Sequence, residues 1–195
     1  MSECNYGRCP TCGNRDVSTP TAAWIQTYTG KAFYPLAPRV EDICIEDIAH
    51  ALSMKCRFTG HCRRFYSVAE HSLYVSRFCP PELRLWGLLH DAAEAYLPDV
   101  ARPIKVMLPE LQSAESRVLV AVAKRFGLPW DFPCRVKDID LRMLATEADQ
   151  LLGPPPTTWE SIRDVERLPV ALRYLAPHEA EREFLSEFRL LAKPQ

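Results

Sequence analysis

The sequence predicts a mostly α-helical protein with one small β-hairpin near its start. Apolar residues recur at helical spacing in several segments, which indicates helices with one buried face. The 195 residues include 17 prolines but 7 glycines, a composition that favours helices ended by proline and gives few tight turns. With 47% apolar and 25% charged residues, the chain has the balance of one globular domain.

The net charge and the hydropathy of the chain argue against nucleic acid polymers and membranes as binding partners. The 24 basic and 25 acidic residues give a net charge of −1, so the chain has no overall positive field for a nucleic acid polymer. No apolar run approaches the roughly 20 residues that span a bilayer, and the first residues are polar. We therefore expect a cytoplasmic protein (in the host cytoplasm if it is viral) that binds neither membranes nor nucleic acid polymers.

The cysteines suggest a separate element in residues 1–16, ahead of a main domain in residues 17–195. Cys9 and Cys12 have the spacing of half a zinc ribbon, and Cys4 lies just before them. Disulfides are the less favoured interpretation, because the cytosol keeps thiols reduced. Two interpretations stay open, a structural zinc site and a terminus with free thiols and no metal. The missing ligand would come from a second chain or from a later cysteine such as Cys44, Cys56 or Cys62.

The first predicted elements are the hairpin and one helix. The segment 24–34 is aromatic and β-branched on both sides of Thr29-Gly30-Lys31, which predicts a hairpin. From Ile45 onward the apolar period becomes helical.

Two helices should follow and carry the chemistry. Ser67 and Glu70 form a capping box pattern before a helix over 68–78. The prolines at 80 and 81 should open another helix that continues to Ala95 and carries His90-Asp91.

Three further helices complete the predicted bundle. One periodic run ends at Gly127, a second extends from Val136 to Leu152, and the last extends from Pro177 to Leu191.

Three ionisable residues lie close together in the apolar segment 88–95. On a continuous helix, His90 and Glu94 share a face, and Asp91 can reach the same side. Buried carboxylates are costly unless a cation or hydrogen bonds satisfy them. A mixture of imidazole nitrogen and carboxylate oxygen is typical of zinc, cobalt, manganese or iron rather than calcium.

His71 and Asp140 are also polar residues within apolar helical patterns, and they could complete a set of four ligands. Taken alone, His71 could be an ordinary hydrogen-bonded histidine, and Asp140 could belong to a solvated helix face. Together with His90 and Asp91, they make a metal site the better interpretation.

The order His71, His90-Asp91, Asp140 resembles the signature of the HD-domain metal-dependent phosphohydrolases. The strings WIQTYTGKAFYPLAP, DICIEDIAHALSMKCRFTGHCRRFYSVAEHS, LLHDAAEAYLPDVARPIK and VKDIDLRMLATEADQLL are similar to a small phage and prophage branch of that superfamily. The branch is related to the bacterial 5′-deoxynucleotidases and includes phage dATP triphosphohydrolases. The similarity covers residues 24–188 and implies an HD-domain helical bundle.

The resemblance implies a role for each matching residue. A divalent ion (zinc, cobalt or manganese) would be bound by four residues, His71, His90, Asp91 and Asp140. Glu94 would handle the proton of the attacking water, with Asp99 as its partner or as a ligand of a second ion such as magnesium.

Substrate contacts are implied in the same way. Arg57, Lys105 and His61 match positions that hold phosphates, whereas Phe58 stands where the 5′-deoxynucleotidases have tryptophan. Base recognition should use flat side chains, and the candidates near the motifs are Trp24, Phe58 and Tyr96.

The resemblance therefore implies hydrolysis of 2′-deoxynucleotides at the α-phosphate in nucleotide-pool control. Deoxyadenosine nucleotides are the expected substrates, with dATP yielding deoxyadenosine and triphosphate, and dADP and dAMP also cleaved. The alternatives are a 5′-deoxynucleotidase restricted to monophosphates, a phosphodiesterase or alarmone hydrolase, or a non-catalytic nucleotide-binding module. Family members commonly assemble, so a homodimer or homohexamer is expected.

Overall fold

The computed structural model describes residues 23–129 and 134–192. Within these ranges the chain forms seven α-helices and one two-stranded antiparallel sheet, which confirms the predicted fold class. The cysteines at 4, 9 and 12, and with them the predicted zinc element, lie outside the described residues. The helices are α1 (Ile45–Met54), α2 (Val68–Phe78), α3 (Arg84–Leu89), α4 (Arg102–Lys105), α5 (Pro109–Phe126), α6 (Cys134–Leu151) and α7 (Pro177–Leu191).

The hairpin pairs β1 (Ile25–Gln26) with β2 (Ala32–Phe33), as the sequence predicts. Gly30 has φ +85°, a left-handed conformation that other residues rarely adopt in a turn. The buried carboxylate of Asp47 on α1 accepts hydrogen bonds from the backbone N–H and hydroxyl of Thr29, at 2.7 and 3.0 Å. This contact anchors the turn of the hairpin to the helical body.

Helix α2 is the centre of the bundle, where it packs against α1, α3, α6 and α7. Its N-terminus is capped as predicted, because the Ser67 side chain accepts the backbone N–H of Glu70 at 3.1 Å. The Glu70 carboxylate does not complete a capping box. It accepts the three backbone N–H groups of residues 173–175 at 2.7–3.0 Å and so fixes the loop that precedes α7.

The predicted continuous helix over 81–95 is wrong. The chain forms a 3₁₀ turn at Pro81–Leu83, then α3, and then a second 3₁₀ turn at Ala92–Ala95. Asp91, at φ −99° and ψ 14°, interrupts the helix between α3 and the second turn. His90 and Glu94 therefore do not share one helix face, and tertiary contacts place them instead.

The short helix α4 was not predicted from the sequence, whereas the predicted bounds of α6 and α7 agree with the structure to within two residues. Helix α5 ends at Gly127 in the left-handed conformation (φ +67°), with its N–H bonded to the carbonyl of Ala123. Helix α6 begins two residues before the predicted 136–152 run and ends one residue before its end, and α7 has the predicted bounds. Among the described helices, none is both long enough and apolar enough to cross a bilayer.

Candidate metal centre

Three side chains from three different elements converge at one point, where the two histidines are buried and the aspartate is partly exposed. His71 lies on α2, His90 directly after α3, and Asp140 on α6. The two histidine Nε2 atoms are 3.2 Å apart, and Oδ1 of Asp140 lies 3.1 Å from His71 Nε2 and 3.7 Å from His90 Nε2. Ligands of a tetrahedral ion with bonds of about 2.1 Å are spaced by about 3.4 Å. This group could hold a metal ion.

Asp91 is the fourth predicted ligand, and the structure places it beside the same group. Its Oδ2 lies 3.2 Å from His90 Nε2 and 3.8 Å from His71 Nε2. All four residues whose order resembles the HD signature therefore come together, although they span 70 positions of the sequence, from 71 to 140.

The ring orientation of both histidines is fixed by their other nitrogen. His71 Nδ1 lies 2.7 Å from Glu147 Oε1, and His90 Nδ1 lies 2.8 Å from the carbonyl of Gly87. A carbonyl and an ionised carboxylate can only accept, so each Nδ1 donates its hydrogen. In the neutral rings, both Nε2 lone pairs then face Asp140, which is the arrangement of histidines that bind metals.

The charges in this cluster also favour a cation. Burial opposes ionisation of Asp91, yet the neighbouring His90 holds the pKa of Asp91 down at about 2. Burial likewise acts against Asp140, but hydrogen bonds from His71 and His90 hold its pKa well below the ordinary value. Burial lowers the pKa of His90, but the charges of Asp91 and Asp140 and the hydrogen bonds with them together outweigh burial and raise that pKa well above 6.5.

Arg57 lies next to the cluster in a 14% exposed position. Its Nε and Nη2 donate to Glu147 Oε2 at 3.1 and 3.0 Å, and its Nη1 lies 3.6 Å from Asp91 Oδ2. The guanidinium thus links the carboxylate behind His71 to the carboxylate beside His90. Arg57 was predicted to contact a substrate phosphate, and in the structure its guanidinium is paired with two carboxylates of the protein, those of Glu147 and Asp91.

Glu94 is 9% exposed, and its Oε2 has no hydrogen-bond partner within residues 23–129 and 134–192. Burial, with Asp91 and Asp99 adding negative charge, raises the pKa of Glu94 to about 8. The Lys105 ammonium pairs with Glu115 at 2.9 Å and also acts electrostatically on Glu94 and Asp91. Glu94, Asp99 and Lys105 therefore share one electrostatic neighbourhood beside the metal cluster.

The aromatic candidates occupy different environments. Trp24 is 55% exposed at the start of the hairpin. Phe58 is half-buried in a left-handed conformation (φ +54°), 5.6 Å from the Arg57 guanidinium and edge-on to Trp159. Tyr96 is 4% exposed and stacks on Phe33 with ring centroids 4.0 Å apart. The Tyr96 hydroxyl also bonds to the backbone of residue 44, so the structure gives this ring a core position instead of a free stacking face.

His61 is exposed, one residue beyond the 3₁₀ turn at Phe58–Gly60. It lies on the same short loop as Arg57, in which Phe58, Thr59 and Gly60 all have positive φ. Left-handed non-glycine residues persist where the surroundings enforce them, and such strain concentrates at functional sites.

Sequence reasoning missed Glu147 and Lys55. Glu147 lies seven residues after Asp140 on α6, a spacing of nearly two turns that places both on one face and could have identified it. Lys55 donates to the carbonyls of Glu94 and Leu97, the second at 2.7 Å, and so holds the turn that carries Glu94. No local pattern marks Lys55, because both acceptors are some 40 residues away in sequence.

A large surface groove lies away from this cluster. Its volume is about 1220 Å³, and it lies at the C-terminal end of α6 beside the triple proline, with Arg63, Gly153 and Trp159 in its wall. A second cavity of about 340 Å³ lies beneath the hairpin and is lined in part by Tyr28, His50 and Tyr96. The candidate site is therefore identified by its chemistry and not by the size of a cavity.

Fold and site together define a helical protein in which two buried histidines and the partly exposed Asp140 could hold a metal ion. The chain is 37% identical over 175 residues to "Uncharacterized protein YfdR" of Escherichia coli strain K12, covering 88% of this chain and 97% of that protein. It therefore belongs to the YfdR family. An uncharacterized protein of Rhodobacter capsulatus is 37% identical over 145 residues, which cover 67% of this chain and 74% of the relative. No protein-family model matches the chain.

Proposed function

We propose that this protein is a metal-dependent phosphohydrolase that cleaves 2′-deoxynucleotides at the α-phosphate. The single observation that carries the proposal is the convergence of His71 Nε2, His90 Nε2 and Asp140 Oδ1, with both Nδ1 atoms held by acceptors. Deoxyadenosine nucleotides are the proposed substrates, with dATP giving deoxyadenosine and triphosphate, and dADP and dAMP also cleaved. The base preference rests on the resemblance to phage dATP triphosphohydrolases alone.

The donor set fits a divalent transition metal such as zinc, cobalt or manganese. Two neutral imidazoles, the carboxylates of Asp91, Asp140 and Glu147, and the Arg57 cation sum to a charge of about −2, which a divalent ion balances. When bound, such an ion lowers the pKa of a water ligand towards about 7 and polarises a phosphoryl oxygen. The protein side chains then have to bind the phosphates and move protons.

Glu94 is the proposed proton-transfer residue. Its pKa of about 8 lets the carboxyl hold a proton near neutral pH, where it can exchange one with the attacking water or the departing 5′-oxygen. Its unpartnered Oε2 leaves one oxygen available for that exchange. Asp99 supports the raised pKa through its negative charge and is the proposed partner of Glu94 or ligand of a second ion such as magnesium.

Positive charge for the phosphates comes from two sides of the cluster. Arg57 offers Nη1, whose 3.6 Å contact with Asp91 is longer than a hydrogen bond. Lys105, 26% exposed, could exchange its ion pair with Glu115 for a phosphate oxygen. His61 and the aromatic rings of Phe58 and Trp24 are the proposed contacts for the rest of the nucleotide, since all three retain exposed surface.

The test is product analysis on metal-stripped protein reloaded with zinc, cobalt or manganese. The substrates are dATP, dAMP, ATP, dGTP, a cyclic nucleotide and a guanosine polyphosphate. We expect deoxyadenosine and triphosphate from dATP only when metal is present. Asp140→Asn should lose at least about 100-fold in rate, whereas Asp138→Asn, an exposed position on the same helix, should retain full activity.

The other outcomes contradict the proposal in distinct ways. Cleavage of monophosphates alone would indicate a 5′-deoxynucleotidase, and cleavage of the cyclic or guanosine compounds a different phosphohydrolase. Tight nucleotide binding without turnover would indicate a binding module. Full activity in Asp140→Asn or in metal-free protein would refute the metal site itself.

Assembly into a homodimer or homohexamer is part of the proposal. Ile104, Val106 and Met107 are 56–77% exposed, next to Lys105, and such apolar surface is typical of contacts between subunits. Light scattering on the purified protein tests this directly, since a monomeric mass at micromolar concentration would contradict it.

A further inference from the structure

Glu147 uses its two carboxylate oxygens for two different partners. Oε1 accepts from His71 Nδ1 at 2.7 Å, while Oε2 accepts from Arg57 Nε and Nη2 at 3.1 and 3.0 Å. Glu147 and His71 are both 0% exposed, and the Arg57 side chain is 14% exposed. A single buried carboxylate therefore connects a candidate metal ligand with a candidate phosphate contact.

We propose that Glu147 is a positioning residue that couples anion binding at Arg57 to metal binding at His71. The inference rests on the proposed function for the identity of the two ligands, a divalent transition metal and the phosphates of a nucleotide.

The first half of the coupling is the contact with His71. Because Glu147 holds the hydrogen of His71 on Nδ1, the Nε2 lone pair stays directed at His90 and Asp140. A carboxylate partner also makes the imidazole more basic, which strengthens its bond to a metal.

The second half is the contact with Arg57. Nε and Nη2 of Arg57 make the bonds to Glu147, whereas its third nitrogen, Nη1, lies 3.6 Å from Asp91 Oδ2, beside His90. An anion bound at Nη1 shares the positive charge that otherwise acts on Glu147. Glu147 then accepts more strongly from His71, and the affinity of His71 for a metal increases. By linkage, a bound metal raises the affinity for the anion by the same factor.

The test is a thermodynamic cycle with zinc and inorganic triphosphate as probes. Zinc affinity is measured by calorimetry with and without triphosphate for the wild type, Glu147→Gln and Glu147→Asp. The matched control is Glu187→Gln, because Glu187 is also buried and pairs with Arg84 but lies outside the metal cluster.

Loss of the Glu147 charge should weaken zinc binding by about 10–100-fold. The factor by which triphosphate raises zinc affinity should fall at least about threefold, since only direct contact between the anion and the metal then remains. Glu147→Asp should recover part of both effects, and Glu187→Gln should change neither.

A nitrogen NMR spectrum of the histidine rings supplies a readout that needs no metal. In metal-free protein above the histidine pKa, His71 should carry its hydrogen on Nδ1 in the wild type and lose this preference in Glu147→Gln. An unchanged tautomer, or wild-type zinc affinity and coupling in folded Glu147→Gln, overturns the proposal and leaves Glu147 as a structural partner of Arg57.

The same measurements separate this inference from the proposed function. If the wild type binds no zinc but the tautomer responds to Glu147→Gln, the phosphohydrolase fails and the positioning of His71 stands. If Glu147→Gln does not fold, Glu147→Asp carries the comparison, and wild-type zinc affinity with undiminished coupling in that variant overturns the proposal.

Discussion

The Nε2 atoms of His71 and His90 face each other at 3.2 Å although both rings are buried. With each Nδ1 donating elsewhere, two neutral rings would bring two lone pairs together, which is unfavourable. A proton or a metal ion between them removes that repulsion. Protons and metal should therefore compete for the same position.

Removal of metal should make stability depend on pH. In metal-free protein, the raised pKa of His90 contributes stability that is complete below the ordinary value of 6.5 and is lost as pH rises through the folded-state pKa. Zinc binds neutral imidazole, so its contribution grows as pH rises. We expect the melting temperature of metal-free protein to fall by several degrees, on the order of 5 °C, as pH rises from 6 to 9. The melting temperature of zinc-loaded protein should stay nearly constant over the same range.

Glu94 needs a control in that experiment because its pKa, raised to about 8, acts in the same direction. Glu94→Gln removes this contribution and should leave most of the zinc-dependent difference in place. Equal pH profiles for stripped and loaded wild type would contradict competition between proton and metal.

The activity profile should report Glu94 directly. If this carboxyl gives a proton to the departing oxygen, turnover of dATP falls as pH rises through about 8, where Glu94 loses that proton. Glu94→Gln should be at least about 100-fold slower and lack this limb. The measurement is kcat against pH with zinc held at saturation, and an unchanged alkaline limb in the variant would assign the pKa to another group.

Lys55 should matter for stability more than an exposed lysine does. Lys55→Met leaves two carbonyls on the turn that carries Glu94 without their ammonium donor, at a cost of about 1–3 kcal/mol. Lys124→Met, an exposed position on α5, should change the unfolding free energy by less than about 0.5 kcal/mol. Urea denaturation of the two variants makes the comparison, and equal values would show that the Lys55 contacts contribute nothing.

Gly87 should not tolerate a side chain. A Cβ there would lie 2.9 Å from the backbone Cα of Ser76, so Gly87→Ala should push α2 and α3 apart and cost about 1–3 kcal/mol. At Gly153 the Cβ would meet the flexible end of Arg63 instead, and Gly153→Ala should cost clearly less. The two melting temperatures, compared with that of the wild type, test the difference. Zinc affinity should also fall in Gly87→Ala, because the carbonyl of Gly87 holds His90.

Local sequence patterns predicted a helix well where its apolar periodicity and its end signals lie within the helix itself. The apolar spacing before Gly127 and the proline at 177 locate α5 and α7, because caps and periodicity are local signals. They failed at 81–95, where the pattern favours one continuous helix. There the chain breaks at Asp91, and the contacts from Lys55 to the carbonyls of Glu94 and Leu97 are long-range.

The sequence by itself determined the helical fold with its hairpin and identified His71, His90, Asp91 and Asp140 as candidate ligands. Both follow from residue type and apolar periodicity, which are local properties of the chain. Only the tertiary structure decided that these four meet, that Glu147 stands behind His71, that Arg57 is held between two acids, and that Tyr96 belongs to the core. The physical reason is that hydrogen bonds and ion pairs depend on distances of about 3 Å. Such distances between residues far apart in sequence are set by the packing of whole helices.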